Sequence, residues 1–224
     1  MPFRRALRNY KIGLVEGAVD LADPEARSRA RTHFLIFDHG FLRTVWTNFA
    51  EVAPGVYRAN QPSPRQLERY AARGIRTIVN LRGPSREPHY LFEEEACARL
   101  GLTLVDAPNF SARAAPEAAD LLALIDTLRQ VEKPFLMHCK SGADRTSLAA
   151  AAYLLAIEGR DLKAARAQFS PRYIHFRWTK TGVLDHILDH YERAHETTGI
   201  GFEAWLRSGY DASAVQASFD GGRR

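Results

Sequence analysis

The sequence predicts an α/β protein with a central, mainly parallel sheet flanked by helices, preceded by an N-terminal arm and completed by a helical C-terminal half. Short apolar or β-branched runs alternate with amphipathic runs of helical period between residues 56 and 137, the pattern of successive strand–helix units. A proline-led apolar run, Lys133-Pro134-Phe135-Leu136-Met137, passes through a short polar loop into an Ala/Leu-rich helical run, so strand, tight loop and helix follow one another. A chain of 224 residues that is 46% hydrophobic can bury the core of one such domain, and a second domain is not required.

Residues 1–50 are expected to form the arm. It carries four cations and no acid by residue 11, then Arg27-Ser28-Arg29-Ala30-Arg31, then Phe34, Leu35, Phe37, Phe41, Leu42, Val45, Trp46 and Phe49 at roughly helical spacing, weakened by Gly40. Such an arm either packs on the following domain or makes peripheral contact with an anionic membrane. Asp38, Gly40 and Arg43 interrupt the apolar face, which favours packing on the domain.

The domain itself is expected over residues 51–210. Pro54-Gly55 reads as a turn before a first strand at 56–59, and Ser63 caps a helix at 65–73 with Pro64 at its first position and Gly74 at its end. A β-branched strand follows at 75–81, then an acidic-faced helix at 90–100 closed by Gly101, and a strand at 102–105. Residues 106–113 form a loop, Pro116 opens a helix at 117–131, and 135–137 is the next strand. Helices at 148–158, 162–169, 179–195 and 202–206 complete the C-terminal half, and 211–224 is a tail frayed from Asp220.

Net charge of +5 draws anionic partners, whether phosphorylated substrates, acidic membrane or nucleic acid. Arg160, Arg166, Arg172, Arg177 and Lys180 come without a stacking aromatic array, so they read as solvated helix faces and no nucleic acid is expected. Two cysteines, Cys97 and Cys139, give no disulfide framework, and a reactive thiol is easiest to maintain in a reducing compartment, so the expected location is cytoplasmic. Met1-Pro2-Phe3-Arg4-Arg5 has no apolar stretch behind it, and no run is long enough to span a bilayer.

The chemistry concentrates in His138-Cys139-Lys140-Ser141-Gly142-Ala143-Asp144-Arg145-Thr146-Ser147. A tight loop at a helix N-terminus turns its N–H groups inward and adds the positive end of the helix dipole, which makes an anion cradle suited to a tetrahedral phosphate. Cys139 enters that cradle, where the field favours a thiolate, and Arg145 closes it with a planar fork for two phosphate oxygens. Lys140, Ser141, Gly142, Ala143, Asp144 and Arg145 are therefore the phosphate-binding set.

The run His-Cys, five residues, Arg, Thr resembles the signature of the protein tyrosine phosphatase superfamily, and is most similar to its compact dual-specificity-like bacterial members. Tyr57-Arg58-Ala59-Asn60-Gln61-Pro62-Ser63 and Asn80-Leu81-Arg82 extend the likeness, which covers about residues 54 to 157. The resemblance implies a phosphatase-like fold and phosphomonoester hydrolysis through a cysteinyl-phosphate, with no cofactor and no metal. It gives Thr146 the role of a hydroxyl bonding the thiolate, and His138 that of ordering the loop. It also implies a general acid about thirty residues before the nucleophile. Asp106, 33 positions before Cys139 and directly after a strand, is that acid, with Asp144 its rival inside the loop. Arg82, at a strand's C-terminal end, either supports the ligand crevice or is a solvated loop residue. Ser147 replaces a common glycine of the family and bears on the geometry at the start of the helix. Cys97 reads as helix packing. Lys140 resembles half of the lysine pair of lipid phosphatases, so the substrate is a phosphorylated protein or a phospholipid or phosphoinositide. A catalytically silent phospho-binding module is the alternative of another class.

Overall fold

The computed structural model describes residues 19–222, and the arm's earliest cations and the last two residues lie outside that range. Strands β1 (Ala50–Ala53), β2 (Val56–Asn60), β3 (Thr77–Asn80), β4 (Thr103–Asp106) and β5 (Phe135–Cys139) form one sheet in the order β1-β2-β5-β3-β4. Only β1 and β2 pair antiparallel; β5 lies parallel between β2 and β3, and β3 parallel to β4. The expected mainly parallel α/β sheet is thus present. The β1 strand was not expected, because Ala-Glu-Val-Ala has weak β propensity; the turn at Pro54-Gly55 folds it back onto β2.

Helices α1 (Pro24–Thr32) and α2 (Gly40–Val45) belong to the arm, with a π-helical turn at His33–Phe37 between them. Gly40 is what lets α2 start there, since a Cβ would lie 2.6 Å from the carbonyl oxygen of Phe34. Helix α3 (Pro64–Ala72) has the expected cap: Ser63 Oγ accepts from the Gln66 N–H while Gln66 Oε1 accepts from the Ser63 N–H. Helices α4 (Pro88–Leu100), α5 (Ala118–Gln130) and α6 (Arg145–Ala156) cover the sheet, followed by α7 (Leu162–Arg166), α8 (Val183–Thr198) and α9 (Phe202–Ser208).

Two cores result. On one face Leu121, Leu124, Ile125, Leu148, Ala149, Ala152, Ile187 and Trp205 meet Val56, Val79, Phe135 and Met137; on the other Leu67, Tyr70, Ala96 and Cys97 meet Ile78 and Leu136. The β5 side chains alternate between these cores, as a strand covered on both faces must. The expected tail is corrected: Ala212–Gly221 forms helix α10, because buried Val215 fills the larger core and Gln216 Oε1 accepts from the Ala115 N–H at 3.0 Å. Among the described residues no helix is long and apolar enough to cross a membrane.

Candidate active site

Parallel pairing aligns Asn60 with Cys139 and Asn80 with His138, so the strand ends converge where β5 turns into the loop. Cys139 falls on the face of Phe135 and Met137 and is a free, buried thiol; His138 falls on the opposite face, towards α4. Gly142 has φ +70°, and a Cβ there would lie 2.6 Å from the Ala59 oxygen, so the loop depends on its glycine.

Beneath the loop lies Arg58, wholly buried and stacked 3.6 Å from the Tyr173 ring centre. Its guanidinium donates to Gly142 O at 2.7 Å, Ser147 Oγ at 2.9 Å and Gln168 Oε1 at 2.9 Å. Burial lowers its pKa to about 10, so it remains a cation at neutral pH. Ser147, the departure from the family pattern, is fully buried beside Ala143 O and Gln168 O, and α6 starts at Arg145. The serine hydroxyl is thus part of the support under the loop.

Arg145 donates through Nη1 to Leu81 O at 3.0 Å and Asn109 Oδ1 at 2.9 Å. Thr146 Oγ1 is buried without a hydrogen-bond partner. Asp144 precedes α6, and its Oδ1 lies 2.9 Å from Nδ1 of buried His175. Asp106 ends β4 and accepts twice, from Asn80 Nδ2 at 2.8 Å and from the Tyr90 hydroxyl at 2.7 Å. Burial, then the bond to Asp106, pushes the Tyr90 phenol upward, which keeps it a donor. The residue of the β4–α5 loop that reaches Arg145 is Asn109 rather than Asp106.

His138 Nε2 lies 2.8 Å from Oε1 of Glu93, whose other oxygen accepts from Gln61 Nε2 at 2.8 Å. Gln61 Oε1 accepts from Arg82 at 2.9 Å, and Arg82 forks onto Asp38 with both nitrogens at 3.2 Å. Arg82 is therefore no solvated loop residue, and through Gln61 and Glu93 it joins the arm to His138. Asp38 also takes Arg43 at 2.6 Å and Lys140 Nζ at 3.1 Å. Burial opposes its ionisation, yet Arg82, Arg43 and Lys140 together outweigh this and hold it well below the usual carboxylate range. Burial, then Arg82, lowers His89 beside this cluster to about 3. Asp38 and Arg43, expected to interrupt an exposed apolar face, are turned inward onto each other. Cys97 is buried in the smaller core, and burial pushes its thiol up to about 12.

Sequence reasoning singled out neither Arg58 nor Glu93 for the site, although both carried a signal. Arg58 has the strand parity of buried Val56, and Glu93 shares a helical face with Ala96 and Cys97 at offsets of three and four. Asp38, Asn48, Asn109 and His175 carried none.

A family model described as DSP-PTPase phosphatase fused to NAD+ kinase matches residues 46–180. The dual specificity protein phosphatase TpbA of Pseudomonas aeruginosa strain UCBPP-PA14 is 28% identical over 123 residues, 53% of this chain and 51% of TpbA, so the chain spans about half the length of the curated relatives it matches. The crystal structure of P. aeruginosa TpbA superposes with a TM-score of 0.52 at 19% identity, over 78% of this chain and 91% of that one. The core catalytic domain of the PP-IP phosphatase SIW14 from S. cerevisiae gives 0.51 at 17% identity, over 68% and 93%. These two superpositions speak for the fold, while the family match spans more than half of the chain and includes the whole Cys139–Arg145 loop. The chain accordingly belongs to the DSP-PTPase family, as a compact dual-specificity-like member of the protein tyrosine phosphatase superfamily.

Proposed function

We propose that this chain hydrolyses phosphomonoesters through a cysteinyl-phosphate intermediate. The observation that carries the reading is the loop itself: Cys139 at the end of the central strand, Arg145 at the first turn of α6, and between them a glycine turn braced by buried Arg58. Family membership supports phosphatase activity. In the first step the Cys139 thiolate attacks phosphorus and forms the S–P bond, the ester P–O bond breaks, and the leaving oxygen takes a proton from a carboxylic acid. In the second, water attacks phosphorus, gives its proton to that carboxylate, and the S–P bond breaks to release inorganic phosphate and the thiolate. In this reading Arg145 and the loop amides hold the equatorial oxygens, and the Thr146 hydroxyl, which is buried without a partner, donates to sulfur as it leaves.

The acid in this reading is Asp106, which Asn80 and Tyr90 orient at the end of β4. Asp144 is the second candidate, favoured by its place in the loop beside Arg145 and held there by its contact with His175. The substrate is a phosphorylated protein or a phospholipid or phosphoinositide, and a reducing compartment such as the cytoplasm would maintain the thiol.

Acid quench during turnover tests the mechanism. The parent should carry a phosphate adduct on the peptide containing Cys139, and Cys139→Ser should show neither adduct nor turnover above about a tenth of the parent rate, since loss of a covalent nucleophile leaves far less than that. Cys139→Ser that turns over like the parent would show that the chain is no cysteine phosphatase, and a parent without any turnover would favour the silent binding module.

A further inference from the structure

Beside the phosphate loop, α2 walls a cavity of about 340 Å³ lined by Leu42, Val45, Trp46, Asn60, Lys140 and Ser141 together with His39 and Arg43. That is the size range of sites for small organic groups. It shares Lys140 and Ser141 with the loop, so a group esterified to a phosphate seated there can extend into it. Its wall is fixed, because the arm's backbone carbonyls are taken up by side chains of the catalytic body: Asn60 Nδ2 donates to Trp46 O, and Gln66 Nε2 donates to Arg43 O at 2.9 Å.

The two ends of this cavity differ in chemistry. At its base two cations of its lining, Arg43 and Lys140, share a single carboxylate, Asp38, which also takes Arg82 from outside the lining, so positive charge is in excess beside the loop. At its outer wall Leu42 is 53% and Val45 90% exposed, and Ile36 adds further exposed apolar surface on the arm. An amphiphile with a phosphate at one end and an aliphatic chain at the other matches both ends, whereas a peptide would bring backbone groups needing hydrogen-bond partners that aliphatic walls do not supply.

The geometry points to the cavity between α2 and the phosphate loop as the subsite for the alkyl chain of an amphiphilic phosphomonoester substrate. This specificity assignment rests on the phosphatase reading for its chemistry, but binding alone can test it. An n-alkyl phosphate series from butyl to decyl, kept monomeric, is titrated calorimetrically into Cys139→Ser and assayed for hydrolysis by the parent. Affinity and kcat/KM should both rise with chain length, by up to about fourfold for each methylene that becomes fully buried. Val45→Asp and Leu42→Ala should flatten the rise, and Ile36→Asp, outside the lining, should preserve it.

A flat series with the short esters still cleaved would overturn the cavity assignment and leave the phosphatase reading intact. A rising affinity series with no ester cleaved would support the cavity and overturn the phosphatase reading. A phosphotyrosine peptide bound more tightly than every alkyl phosphate, with that preference lost in Val45→Asp, would overturn the aliphatic occupant in favour of a peptide. Where the rise holds, comparing decyl phosphate free and in phosphatidylcholine vesicles separates the sources: faster turnover in vesicles supports a membrane-held amphiphile, and faster turnover free supports a soluble one.

Discussion

Asp106 and Asp144 have opposite surroundings, which makes their roles separable. The Asp106 carboxylate accepts from two neutral donors at the sheet edge, while Asp144 meets an imidazole inside the loop. If Asp106 is the acid, Asp106→Asn should slow alkyl phosphate cleavage by roughly 10²- to 10⁴-fold and slow aryl phosphates with good leaving groups less. Asp144→Asn should slow both classes alike, because it disturbs the loop without removing the proton donor. Initial rates on a series of leaving groups decide between them, and reversed profiles would exchange the assignments. Arg58 and Ser147 act one step further out, donating to the loop carbonyls of Gly142 and Ala143 and so fixing which way the loop backbone faces.

At the level of elements, the phosphate loop is clasped from both sides. Asn48, at the end of the arm in a left-handed conformation, donates to Ser141 O at 3.1 Å and to Tyr173 O at 2.9 Å. One buried amide therefore ties the arm, the loop and the turn at Pro171–Tyr173, while Asp144 binds the loop to His175 just beyond that turn. Asn48→Ala should cost about 1–3 kcal/mol for the donor withdrawn from buried carbonyls, measured as a lowered urea midpoint, and should weaken vanadate or phosphate binding through the displaced Ser141. An unchanged midpoint with unchanged anion affinity would show that the arm and the loop are not coupled through Asn48. Further anchors of the arm include the Arg27–Glu95 pair at 2.7 Å and the edge-on contact of Phe34 with Phe92. The ion pair is half-exposed and adds little, so the buried Asp38 cluster dominates.

For the whole molecule, the buried charges set how stability responds to acid. His89 has a folded pKa of about 3 against an ordinary 6.5. As the pH falls below the higher value the unfolded chain binds a proton that the folded chain refuses, and stability is lost progressively towards the lower one. Asp38, depressed by its three cations, acts in the same sense: its contribution is complete above the ordinary carboxylate range and is lost as the pH falls through and below it. The chain should therefore lose stability steadily on acidification from about pH 6.5, His89→Gln flattening the upper part of that fall and Asp38→Asn the lower. Urea midpoints followed from about pH 7 to about pH 4 read this directly, and a parent midpoint constant over that span would refute it.

What the sequence by itself determined were the features whose causes act within a few residues. The spacing of Cys139 to Arg145, the strand before it and the helix after it, the Ser63 cap and the stops at Gly74 and Gly101 depend on local backbone preference and on hydrogen bonds between near neighbours. The helical spacing at 34–49 was legible only in part: the π-helical turn at His33–Phe37 and the short helix Gly40–Val45 overlap it, while residues 46–49 are not helical. Only the tertiary structure decided which polar groups turn inward and whom they meet. Asp38 pairs with Arg82 across 44 residues, Arg58 braces Gly142 across 84, and Asn48 reaches Tyr173 across 125. Such pairings are fixed by which surfaces the sheet order brings together, and a buried charge is tolerated only where that order delivers its partners. For the same reason β1, weak in local propensity, exists because β2 receives it, while α10, Ala-rich and capped by Asp211, is seated by Val215 in the larger core.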